Sequence, residues 1–229
     1  ELLYDVDLSY INPLVTIDKY EDLKNKLADS RLITYSICAD YFTQYPFLKN
    51  SSTSNLDKLK ELIKVSVIVN NSMIVIPMLG DNEITNDYEL DYFIKMIKKI
   101  AAEARKLNIS ICLELSLDAK TVVKVLDENK SNISVCYDLG NSTAFGYDIY
   151  EEILCLNKYI THVHIKDKIK KSNVNVMLGH GNVDFKAGFS ALKEINYTGN
   201  FTLETAMGKN PVENAKANYY YSKDLLSIF

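Results

Sequence analysis

No stretch of the chain approaches the roughly 20 apolar residues that span a bilayer. The greasiest run, residues 63–78, is interrupted by Lys64, Ser66, Asn70, Asn71 and Ser72. A membrane segment is therefore excluded, and no stretch reads as a signal peptide. Positive charge is not in excess: 26 Lys and Arg face 30 Asp and Glu, for a net charge of −4. A nucleic-acid partner has no basic field to meet. Cysteine is sparse and unpatterned, since Cys38, Cys112, Cys136 and Cys155 form no CxxC spacing. Buried, reduced thiols are the expected reading, and they point to the cytoplasm. Asn-x-Ser/Thr triplets such as 108–110 and 196–198 arise by chance in an Asn-rich chain.

What is present is ordinary globular material, with 47% hydrophobic and 24% charged residues in 229 positions. That length suits a single α/β domain over 1–229 with a large core. Short runs rich in Ile, Val, Leu and Tyr, at 1–6, 33–39, 73–79, 110–116, 133–139, 161–166 and 200–205, predict buried parallel strands. Between them, helical periodicity predicts helices near 18–29, 55–70, 86–107, 118–129, 148–159, 185–196 and 211–227. Asp118, Asp148 and Asp184 are placed to cap three of these. In 86–107 the expected buried stripe is Leu90, Phe93, Ile94, Ile97, Ile100 and Ala101.

Seven β-then-α units without a break predict a TIM (β/α)8-type barrel. An eight-unit barrel typically needs about 250 residues. The chain starts at Glu1 in strand-like sequence, so a first βα unit of about 40 residues is expected to precede it, or another chain to cover its place. A doubly wound open sheet is the competing architecture. It accounts less well for four strand ends of one kind.

Those ends are Ser110-Ile-Cys-Leu-Glu114, Ile133-Ser-Val-Cys-Tyr-Asp138, Thr161-His-Val-His164 and Asn200-Phe-Thr-Leu-Glu204. Each is an apolar run closed by one acidic or imidazole side chain. Side by side in parallel, they would bring Glu114, Asp138, His164 and Glu204 to one rim as an oxygen-rich site for one divalent cation. Residues two apart share a face of a strand, so Cys112, Cys136, His162 and Thr202 lie one layer deeper. His162 is expected to be an interior histidine bonded to its neighbours. Taken singly, Glu114 could equally cap a helix and Asp138 could start a turn. Together, buried carboxylates cost several kcal/mol unless paired or metal-bound.

The motifs Leu113-Glu114, Tyr137-Asp-Leu-Gly-Asn-Ser142, His162-Val-His-Ile-Lys-Asp167, Leu178-Gly-His-Gly-Asn-Val-Asp-Phe185 and Phe201-Thr-Leu-Glu-Thr205 occur in that order. With Ser36-Ile-Cys-Ala-Asp-Tyr-Phe42 and the tetrapeptide 196–199, the chain resembles the sugar-phosphate isomerase/epimerase group of xylose-isomerase-like TIM barrels. Within that group it is similar to pentulose- and hexulose-phosphate 3-epimerases. The resemblance implies that Glu114, Asp138, His164 and Glu204 hold the metal, and that Glu114 and Glu204 are also the acid/base pair. Lys166, Asn141, His180 and Asp40 are the expected substrate contacts. His180 departs from the acidic residue that the family often carries inside this Gly-x-Gly. Endonuclease-IV-like barrels need many histidines, and this chain has three. A nucleotide-binding fingerprint is excluded because Gly179-His-Gly181 lacks the third glycine.

The implied enzyme epimerises or isomerises a sugar or sugar phosphate by removing a proton next to a carbonyl, through a metal-bound enediolate. The cation is expected to be Mn²⁺, with Mg²⁺, Zn²⁺, Co²⁺ and Fe²⁺ as alternatives. A phosphate would meet Lys166 and the backbone amides near Gly179 and Gly181. Lys168, Lys170 and Lys171 are either further phosphate contacts or a solvated loop. The other functions open to the sequence are an inosose dehydratase-like lyase and a sugar-binding barrel without turnover. A homo-oligomer is compatible with either.

Overall fold

The computed structural model describes residues 1–5, 12–15, 19–48, 53–129, 132–206 and 208–227. The chain forms two compact units, 1–115 with 125–134, and 116–124 with 135–229. In the first, strands β1 (Leu2–Leu3), β2 (Ser36–Cys38), β3 (Met73–Met78) and β4 (Ser110–Leu115) lie parallel in that order. Val75 faces Cys112 and Pro77 faces Glu114 across the β3–β4 ladder. Ile37, Ile74, Val75, Ile76 and Met78 are wholly buried, as the unbroken apolar runs require. Helices α1 (Tyr20–Ser30), α2 (Tyr41–Gln44), α3 (Thr53–Ile68) and α4 (Asp87–Lys106) complete this unit. Val6 and Asp18, parts of the expected first strand and first helix, lie outside the described residues.

Helix α4 shows how the local rules operate. The Asn86 side chain accepts from the Glu89 amide at 3.0 Å, satisfying one of the donors that every helix start leaves open. The buried stripe is Phe93, Met96, Ile97, Ile100, Ala101 and Ala104. It is rotated from the expected one: Leu90 and Ile94 are only half-buried, and Met96 and Ala104 take their place. Each large apolar side chain buried there contributes roughly 1.5–3 kcal/mol.

The second unit holds parallel strands β5 (Ile133–Asp138, from Val135 on), β6 (Ile160–Ile165) and β9 (Asn200–Leu203), paired in that order. Asp138 faces His164, and His164 faces Thr202. Between β6 and β9 the chain makes an unexpected hairpin, β7 (Asp167–Lys168) with β8 (Asn175–Val176). The helices of this unit are α5 (Ala119–Asn129, to Lys124), α6 (Leu139–Phe145), α7 (Ile149–Leu156), α8 (Phe185–Glu194) and α9 (Pro211–Leu226). The three expected caps are present. Asp118 accepts from Thr121 at 3.1 Å, Asp148 from Glu151 at 3.2 Å and Asp184 from Ala187 at 2.9 Å. None of the four cysteines is in a disulfide; Cys38, Cys112 and Cys136 are buried, but Cys155 lies on the solvent face of α7 and corrects the expectation of burial. Among the described residues, no helix is long and apolar enough to cross a membrane.

One buried acid ties this unit together. The Glu152 carboxylate on α7 accepts from the Ala119 amide at 3.0 Å, Ser142 Oγ at 3.1 Å and Tyr137 Oη at 3.3 Å. It thus links α5, α6, α7 and β5 directly behind Asp138. Burial raises its pKa above 4.5, against the hydrogen bonds that lower it. A raised carboxyl pKa means that the fold favours the protonated acid. That contribution is full below the unfolded value and is lost as pH rises through the folded one. Glu152→Ala should cost about 2–4 kcal/mol, because a buried amide and two hydroxyls lose their acceptor. Glu152→Gln keeps an acceptor and carries no charge. Urea unfolding from about pH 4 to about pH 8 should show its stability rising relative to wild type as pH increases.

Candidate metal centre

Asp138 is the last residue of β5 and the cap of α6, which follows without a loop. Its Oδ1 accepts from the Asn141 amide at 2.7 Å, which fixes the carboxylate and leaves Oδ2 directed elsewhere. His164, in β6, is wholly buried. Its Nδ1 stands 2.8 Å from Glu204 Oε2 and 3.8 Å from Asp138 Oδ2. Glu204 follows β9, where its amide still donates to Ile165 O at 3.1 Å. Its side chain is 46% exposed, so this acid faces the solvent side of the cluster. Asp138, His164 and Glu204 each offer a donor atom within 4.8 Å of the others. Two oxygens and one nitrogen so placed fit a single small divalent ion, whose ligands stand about 2.0–2.2 Å from it.

Lys166 enters the same cluster. Its Nζ lies 3.0 Å from Asp138 Oδ2 and 2.7 Å from Glu204 Oε1, and only 5% of the residue is exposed. Burial opposes ionisation of Glu204, but the hydrogen bond from His164 and the charge on Lys166 outweigh it and hold the carboxyl down at about 2. Gly140 explains how the lysine reaches inward. A Cβ at this position would stand 2.9 Å from Lys166 Cγ and 3.0 Å from Lys166 O, so only glycine lets α6 close over the lysine stem.

One layer deeper, His162 Nε2 is 2.9 Å from Thr202 Oγ1, the interior bonding expected of it. Cys136, His162 and His164 form a second group of neighbouring donors, all buried. The first unit carries the two remaining acids. Glu114 is the fifth residue of β4 and 3% exposed, and Asp40 is half-buried immediately before α2. Asn141 is buried in α6 with its amide on Asp138, while His180 is exposed, its Nδ1 3.4 Å from Leu178 O. The second unit thus brings together Asp138, His164, Glu204, Lys166 and Asn141.

The acid that sequence reasoning gave no role is Asp167, 1% exposed. Its Oδ2 accepts from Gly179 at 2.9 Å and Gly181 at 2.8 Å, and its Oδ1 from Val183 at 3.2 Å. These are the amides expected to greet a phosphate, and an internal carboxylate already takes them. A Cβ on Gly181 would come within 2.1 Å of Asp167 Oδ1, which dictates that glycine. The signal was available as an acid after a strand-end lysine, with a Gly-x-Gly to follow. Lys168 is buried and bonded to Asn173 Oδ1 at 2.7 Å, while Lys170 and Lys171 are exposed.

The family model of the xylose isomerase-like TIM barrel matches residues 2–225. The chain belongs to that family. It is 26% identical over 207 residues to a probable L-ribulose-5-phosphate 3-epimerase of Mycoplasma pneumoniae, covering 86% of this chain and 68% of that one. Among solved structures, the IOLI protein with a bound zinc atom superimposes with a TM-score of 0.78 at 15% identity, over 98% of this chain and 88% of its own. A xylose isomerase-like TIM barrel protein from Mycobacterium smegmatis in complex with magnesium gives 0.74 at 18% identity, over 99% and 84%. At such identities the structural likeness speaks for the fold alone.

Asp167→Ala should strip three amides of their acceptor and destabilise the protein by about 2–3 kcal/mol. Limited proteolysis should then cut within 177–183 at least tenfold faster than in wild type. Unchanged resistance would mean that the loop is held by other contacts.

Proposed function

We propose that the protein is a divalent-metal-dependent epimerase of a ketose phosphate, acting at the carbon beside the carbonyl, in the cytoplasm. The observation that carries this reading is the Asp138–His164–Glu204 cluster, with one acid held ionised at its solvent side. The likeness to an L-ribulose-5-phosphate 3-epimerase supports the substrate class. Glu114 completes the ligand set from the end of β4, for three oxygens and one nitrogen. That set suits Mn²⁺ or Mg²⁺, with Zn²⁺, Co²⁺ and Fe²⁺ as weaker fits.

A bound cation would polarise the ketose carbonyl and its neighbouring hydroxyl, making the hydrogen between them acidic. Glu204 is the base: its carboxylate lies at the solvent side of the cluster, where a substrate has access to it. It takes the proton, and Glu114 returns one to the opposite face of the same carbon, inverting it. Asp138 is held still by the α6 amide, and His164 orients Glu204. Asn141, His180, Lys166 and Asp40 are the substrate contacts in this reading.

Incubation with L-ribulose 5-phosphate and Mn²⁺ in D₂O should carry one solvent deuterium into the inverted carbon. Release of water in place of exchange would reassign the protein to the dehydratases, and no reaction of either kind would contradict the enzyme reading. Glu204→Gln should lower turnover by about 10²–10⁴-fold, the usual worth of a positioned acid or base, with an unchanged circular dichroism spectrum. Near-normal turnover in that variant would remove Glu204 from the chemistry.

A further inference from the structure

The Lys166 ammonium sits on the oxygens that a metal ion would need. Asp138 Oδ2 and Glu204 Oε1 are 3.0 Å and 2.7 Å from Nζ, in a cluster whose donors all lie within 4.8 Å of one another. Two ionised carboxylates this close repel each other unless a positive charge stands between them. The inward path of the lysine is built into the fold, because Gly140 is bare where its stem passes. An ammonium and a divalent cation would compete for the two carboxylates, because each is positive and each draws on the same negative charge.

We propose that Lys166 is an internal competitor of the divalent cation, so that metal binding drives its ammonium off Asp138 and Glu204 and frees it for an anionic group of the substrate. The inference rests on reading the cluster as a metal centre. Once displaced, a buried ammonium costs several kcal/mol unless it finds a new partner. The half-exposed Glu204 marks the solvent side of the cluster, the side open to an incoming substrate. A phosphate oxygen is the partner whose chemistry fits. Metal and phosphorylated substrate thus bind in a coupled order: the ion first, then the anion that the released lysine receives. The same device keeps the carboxylates neutralised at every stage.

The test uses the wild-type chain together with Lys166→Met and Lys166→Gln. Calorimetric titration with Mn²⁺ should give affinities at least about tenfold tighter in the variants, equivalent to about 1.4 kcal/mol. Mn²⁺ should also raise the melting temperature more in the variants than in wild type. In the wild-type protein, acetylation of Lys166, read by peptide mass spectrometry, should accelerate severalfold when Mn²⁺ is added. Inorganic phosphate should suppress it only with Mn²⁺ present. Unchanged labelling in wild type, or variant affinity equal to or weaker than wild type, would overturn the competition even though Mn²⁺ binds. Labelling that phosphate does not suppress would overturn the anion's part. If wild type takes up no Mn²⁺ at all, it is the metal reading that fails, and the two failures are distinguishable.

Discussion

Everything at the site depends on negative charge gathered at the ends of parallel strands. Asp138 and Glu204 offer donor atoms within 4.8 Å of each other, beside a wholly buried imidazole. Desolvation alone would push Glu204 towards its neutral form. Specific contacts hold the two acids: a helix-start amide on Asp138, the His164 ring on Glu204, and an ammonium between the two. A protein that only needed a stable core would fill this place with apolar side chains. The proposed chemistry, which needs a concentrated anionic donor set, accounts for that cost.

The surroundings follow from holding that cluster still. Asp138 ends β5 and caps α6 in one residue, so the carboxylate has no loop in which to move. Glu152 fastens α5, α6 and α7 to Tyr137 directly behind it. Asp167, one residue beyond Lys166, gathers the amides of Gly179, Gly181 and Val183. Helix α9 reaches the same loop, where Asn218 accepts from Leu178 at 3.3 Å. Each of these polar groups is buried and satisfied, which is how a network gains rigidity instead of costing stability.

Much of this was legible in the sequence, for identifiable reasons. Short apolar runs closed by one acid or histidine located β4, β5, β6 and β9, because buried parallel strands have little freedom in composition. Aspartates before periodic segments located three helix starts. Helix α6 was not legible: Leu-Gly-Asn-Ser-Thr-Ala-Phe is a poor helix former, and it is held by the Asp138 cap and by packing over Lys166. Nor was the hairpin of β7 and β8, where a lysine-rich stretch that reads as solvated buries Asp167 and Lys168. The inward turn of Lys166 had no local signal at all. It depends on a missing side chain at Gly140, 26 positions away in the chain (166 − 140).

The central claim is that this cluster is a metal site of one ion. Elemental analysis of the purified chain after exposure to Mn²⁺ and exhaustive dialysis tests it most directly, with Asp138→Asn beside it. The account predicts one divalent ion per wild-type chain and a stoichiometry near zero in the variant, with both proteins folded. Two or more tightly held ions per chain, or equal metal content in the two proteins, would contradict it.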